Sequence, residues 1–147
     1  MRKLLFLVII GVAGFAALTQ YRRDAVDVRD RSGLVVADDS ALTRALENRA
    51  GGVQVEGHGT ITKLLPDDDK GSRHQRFILK LQSGETLLVA HNIDIAPRIG
   101  SLRAGDEVSF NGVYEWNSKG GVIHWTHRDP AGRHAAGWLR HGGRIYQ

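Results

Sequence analysis

The chain has 147 residues, with 20 Lys+Arg against 16 Asp+Glu, seven His and no Cys. That length suits one modest domain, and 41% hydrophobic with 7% aromatic residues excludes global disorder. The lack of cysteine excludes a disulfide framework, a thiolate nucleophile, a cysteine zinc site and a lipid-modified N-terminal cysteine.

The formal charge of +4 is unevenly spread. Residues 20–56 hold six bases and seven acids, and residues 57–115 hold seven and eight. Residues 116–147 hold five bases against Asp129 alone. A basic C-terminal surface of this kind favours anionic partners, although it is far from a polybasic arm.

At the N-terminus, Arg2-Lys3 precedes an apolar run from Leu4 to Leu18. A short positive region before such a run is the layout of a secretory signal. Fifteen apolar residues fall short of the roughly 20 that a membrane span needs. Residues 1–19 are therefore expected to be a signal peptide or an uncleaved anchor, with residues 20–38 as a charged linker. The domain at 39–147 would then be exported: periplasmic, secreted, or tied to the inner membrane through the N-terminal segment.

Asp39-Ser40 can cap a helix over Ala41–Arg49 that presents Leu42, Ala45 and Leu46 on one face and ends at Gly51-Gly52. From Val53 the apolar period becomes two. A first strand carries Val53, Val55 and Ile61, with Gly57 and Gly59 permitting a bend. A second runs from His74 to Gln82, and Ser83-Gly84-Glu85 turns into a third, Thr86–His91. Pro97–Leu102 reads as a loop or single helical turn. Val108, Phe110, Gly112, Tyr114 and Trp116 alternate along a fourth strand, and Val122–His127 forms a fifth that Asp129-Pro130 ends. The remaining residues read as a basic C-terminal extension.

Five short strands, a bent first strand and a longer third-to-fourth connection predict a mainly β fold. It is a small five-stranded Greek-key barrel preceded by a short helix, and Leu102–Gly112 resembles the start of the fourth strand of oligonucleotide/oligosaccharide-binding (OB) folds. An open two-layer sandwich is the alternative.

The histidines carry the chemical signal, because unperturbed imidazole titrates near neutrality and is the commonest metal ligand. His74 begins the second strand, His91 ends the third, and His124 and His127 lie on the fifth. Such strand ends can converge at one rim. Asp67-Asp68-Asp69 needs a cation or neighbouring bases to relieve its charge. Asp68, together with His74, is thus a candidate ligand for a divalent ion, and Asp129 is a further one. His124 and His127 would point to opposite faces of an extended strand, which is no zinc signature. The sequence contains no His-Glu-x-x-His, Gly-rich phosphate loop or Gly-x-Ser-x-Gly elbow, which excludes the usual zincin, P-loop and α/β-hydrolase readings. Trp116 and Trp125, with Arg76, Asn92 and Arg128, could form a stacking and binding platform.

Two tracts carry a family resemblance: Leu65-Pro66-Asp67-Asp68 through His74-Gln75-Arg76-Phe77 to Ala90-His91-Asn92-Ile93-Asp94, and Tyr114-Glu115-Trp116-Asn117 through His124-Trp125-Thr126-His127-Arg128-Asp129-Pro130. Together they resemble the exported bacterial family called domain of unknown function 3465, over about Val53 to Gln147. Arg128 stands where some relatives have a third histidine. The resemblance implies a small OB-like barrel and export, and no activity.

Two functions follow from the residues, beside a third in which the barrel face binds another protein of the envelope. In the first, the barrel acts on an anionic polymer such as nucleic acid as a phosphodiester hydrolase. His74, His91, His124 and His127 would supply proton transfer and Arg98 would hold the phosphate, with or without a divalent ion. In the second, the barrel is a non-catalytic module that binds nucleic acid, glycan or another ligand in the cell envelope.

Overall fold

The structure is a computed structural model that describes residues 40–147. The expected signal or anchor at 1–19, the linker at 20–38 and the Asp39 cap lie outside the described residues. Among the described residues, no helix is long and apolar enough to cross a membrane.

Helix α1 (Ser40–Glu47) sends Leu42 and Ala45 into the core. It ends earlier than Gly51-Gly52 would suggest. Arg49 takes a left-handed φ of 52°, Ala50 N–H donates to Ala45 O at 2.9 Å, and Arg49 N–H donates to Leu46 O at 3.2 Å. This is a Schellman ending with arginine where glycine is usual.

The strands follow as β1 (Val53–Asp68), β2 (His74–Lys80), β3 (Thr86–Asn92), β4 (Glu107–Glu115) and β5 (Val122–His124). They close in the order β1-β2-β3-β5-β4, with β1 pairing back onto β4. β3 and β5 run parallel and the other ring pairs are antiparallel. This is the closed OB-like barrel, not the open sandwich. Closure works because β1 serves two partners: Val53–Thr60 pair with β4 and Thr60–Asp68 with β2. The ladder changes partners at Thr60, beside Gly59, and a register shift follows between Ile61 and Lys63.

Gly59 is needed at that bend. A Cβ there would lie 2.6 Å from Lys80 O, whereas one at Gly71 in the β1–β2 loop would meet nothing within 4 Å. Gly59→Val is expected to lower the melting temperature by more than Gly71→Val, although Gly71 has a φ of 80°. The overlap at Gly59 is with backbone, and a loop can adapt where a ladder cannot. Equal shifts would remove the close approach from the account.

Burial alternates strictly along β2, β3 and β4. Phe77, Leu79, Leu87, Val89, Phe110, Tyr114 and Ile123 fill the barrel, and Ile99 and Leu102 from the β3–β4 connection join them. Burying each large apolar side chain contributes roughly 1.5–3 kcal/mol.

Two expectations need correction. The fifth strand ends at His124, because Trp125 turns left-handed with a φ of 53°; His127 is therefore not on it. The C-terminal extension is a hairpin, β6 (Trp138–His141) and β7 (Arg144–Tyr146). Gly142-Gly143, both with positive φ, form its two-residue turn. β6 pairs with β4, and Leu139 and Tyr146 enter the core.

Candidate functional site

The ladders bring three histidines to one rim. His74 opens β2 opposite Asn92, Gln75 stands opposite His91, and the parallel β3–β5 pairing ends both strands on the same side. His74 lies near enough to act electrostatically on both His91 and His124. The three strand ends thus lie at one rim, with His74 and His124 on outward positions and His91 on an inward one.

His91 has no exposed surface. Its parity on β3 is that of Leu87 and Val89, so it points inward. A carbonyl can only accept, so Nε2–H donates to Pro97 O at 3.2 Å, which leaves Nδ1 to accept from the Thr126 hydroxyl at 2.8 Å. Burial pushes its pKa down to about 4. His91 is thus a neutral clamp that ties β3 to the β3–β4 connection and to the segment after β5. Neither ring nitrogen is left for proton transfer to a substrate.

Beyond His124 the chain wraps around Trp125. The indole is exposed and packs against His134, His127 and His124 with ring centroids 4.0, 5.6 and 5.9 Å away. A left-handed φ is uncommon for a bulky residue and is held only by its surroundings. Here the next two residues, Thr126 and His127, are buried, and Gly137 N–H donates to His127 O at 2.9 Å. His127 Nδ1–H donates to Arg128 O at 2.7 Å and His134 Nδ1–H to Ala135 O at 2.8 Å. The Nε2 atoms of His124 and His134 are buried without a hydrogen-bond partner; Asp129 Oδ2 lies 3.6 Å from the latter. Burial also lowers the His124 pKa, with Glu115 opposing the shift.

Sequence reasoning passed over His134, Thr126 and Gly137. Their roles depend on the loop's path, and no spacing signals them.

The remaining predicted residues disperse. Arg98 pairs with Asp67. Arg76 donates to Pro66 O at 3.0 and 3.1 Å and lies 3.9 Å from Asp68. The aspartate run is thus relieved by bases. Asp68 faces His74 across the β1–β2 ladder. Asp129 accepts the Ala131 and Arg133 amides, which hold its carboxyl below the usual range. Among the described residues, no three His, Asp or Glu groups are placed to hold a metal ion. Asn92, the last residue of β3, accepts from the Asp94 amide at 3.0 Å. Arg128 is exposed beside His127. Trp116 follows β4 at the opposite end of β5 from Trp125, so the two tryptophans do not form one platform.

The barrel's outer surface is divided by charge. On the second half of β1 and on β2, β3 and β5, the outward positions carry Lys63, His74, Arg76, Lys80 and His124 around half-buried Leu65, Ile78, Leu88 and Val122. Asp68 is the carboxylate on this face. On the first half of β1 and on β4, the outward positions carry Glu56, Glu107 and Glu115 with His58, and the base beside them is Arg140 of β6, opposite Ser109.

A family model described as a protein of unknown function (DUF3465) matches residues 29–147. The chain belongs to that family. The match begins well before Val53 and takes in α1, the whole barrel, the Trp125 loop and the β6–β7 hairpin. No curated protein matches the chain.

Proposed function

We propose that this family member is a non-catalytic module that binds an anionic polymer, best matched by single-stranded nucleic acid. The ligand would lie across the outer face of β2 and β3. The observation that carries this reading is the charge division of the barrel: Lys63, Arg76 and Lys80 on one face and Glu56, Glu107 and Glu115 on the other. The β2–β3 surface is also the face with which OB folds take oligonucleotides and oligosaccharides. The Arg76 and Arg98 ion pairs are partly exposed, so a phosphate can replace their carboxylate partners at little cost. Export by the N-terminal segment would place this encounter in the cell envelope.

The test is fluorescence anisotropy with a labelled single-stranded DNA over a salt series. Three phosphate contacts predict a log–log salt slope of about −2. The double variant Lys63→Glu, Lys80→Glu is expected to weaken binding at least ~10-fold and flatten the slope, while Glu56→Gln should not weaken it. Binding by the wild type that ignores both salt and these charge reversals would overturn the reading.

One observation favours hydrolysis instead: a strained, exposed Trp125 ringed by His124, His127 and His134. Here one imidazole would deprotonate water and a second imidazole would protonate the leaving oxygen. Because the Nε2 atoms of His124 and His134 are buried, this chemistry requires residues 125–137 to open. DNA or RNA cleavage that is lost in both His127→Ala and His134→Ala, with melting temperatures unchanged, would replace the binding reading.

A further inference from the structure

At the end of the barrel remote from the histidine rim, a cavity of about 410 Å³ lies between α1, the β2–β3 turn and the β4–β5 turn. Its walls are Leu46, Tyr114 and Trp116, and its polar groups are Thr43, Ser83, Glu47 and Glu85. We propose that this cavity is a binding site for a small organic cation, an alkylammonium or quaternary ammonium head seated against Trp116 between Glu47 and Glu85. This site is independent of the polymer reading.

Four observations support it. No Lys or Arg lines the cavity, whereas two carboxylates do. Trp116 is 42% exposed, and Arg49 lies 5.4 Å from the centroid of its ring without lining the cavity. The placement of Arg49 shows that this indole accepts a cationic neighbour. The Ser83 hydroxyl holds the Glu85 carboxyl below its usual range, so that charge is in place at neutral pH. The Gly120 wall is bare backbone, its carbonyl taken by the Tyr114 hydroxyl at 3.3 Å. A Cβ on Gly121 would strike the Tyr114 ring.

The lining also selects the kind of cation. Calcium and magnesium need six or more oxygen ligands, and among the described residues no carboxylate group is arranged to hold a metal. An apolar aromatic wall with charge at its margin instead fits an alkylated nitrogen, which sheds water cheaply. A polyanion is disfavoured here because Glu47, Glu85 and Glu115 gather at this end.

The experiment titrates the full chain with choline while following tryptophan fluorescence and heat, beside 3,3-dimethyl-1-butanol, a neutral molecule of the same shape. Choline is expected to bind about tenfold tighter than the neutral alcohol. Trp116→Ala should weaken choline about tenfold, Trp116→Phe should retain part of the affinity, and Glu47→Gln with Glu85→Gln should remove the preference for charge. Trp116 is exposed, so melting curves should be unchanged and serve as the folding control. Phosphatidylcholine vesicles form a second arm: retention on vesicles without binding of free choline would support the same chemistry and assign it to a lipid headgroup. Failure to bind either, or equal affinity for choline and the neutral alcohol, would overturn the proposal.

Discussion

Gly137→Ala is expected to destabilise the domain by about 3 kcal/mol and to lower its melting temperature by more than ~10 °C. A Cβ at Gly137 would overlap the Trp125 carbonyl oxygen, lie 2.6 Å from Asn111 O and lie 2.9 Å from Thr126 Cα. All three are backbone atoms, so no side-chain rotation relieves the clash. Asn111 is on β4 opposite Trp138, so any shift that made room would also disturb the β4–β6 ladder. The Gly137 amide meanwhile holds His127 O, and Trp125 stays left-handed only while that closure persists. Gly132→Ala is the control. Gly132 also has a positive φ, 63°, but a Cβ there meets nothing within 4 Å, so only the left-handed penalty of about 1–2 kcal/mol applies. Thermal melts of the two variants give the comparison. Equal losses would mean that Gly137 is not a tight packing point and that Trp125 is held by something else.

These contacts mark the limit of what periodicity could show. Strand alternation from Val53 to Glu115 was legible because a closed barrel buries one parity of each strand, and Phe77, Leu79 and Phe110 obey it. The rim followed from the same logic, since parallel β3 and β5 end together. Parity also separates His91, which shares the inward face with Leu87 and Val89, from outward-facing His74 and His124. The break at Trp125 gave no signal, because a left-handed tryptophan is imposed by tertiary closure through Gly137 rather than by local preference. β6 and β7 were missed for a different reason. Strands of four and three residues are too short for a period-two pattern, although Gly142-Gly143 between Trp138–His141 and Arg144–Tyr146 is a two-residue hairpin signal.

The domain is expected to lose about 3 kcal/mol of stability between pH 7 and pH 4 through His91 alone. In the folded chain burial pushes the His91 pKa down to about 4, whereas an unfolded histidine titrates near 6.5. Above pH 6.5 both states hold it neutral, and its contribution is fully present. As the pH falls, the unfolded chain takes up the proton first, so folding is penalised by about 1.4 kcal/mol per pH unit until the folded pKa is reached. His124 is shifted in the same direction by burial and should add to the slope. Urea unfolding at several pH values between 7 and 4 measures the loss. His91→Gln isolates it: the glutamine amide can still donate to Pro97 O and its carbonyl can accept the Thr126 hydroxyl, but it does not titrate. That variant is expected to stay folded and to flatten the pH dependence by about 1 kcal/mol per unit. A wild-type His91 resonance that titrates near pH 6.5, or an unchanged slope in His91→Gln, would show that the imidazole is solvated in the folded state. The rim would then lose the clamp that joins β3 to the Trp125 loop.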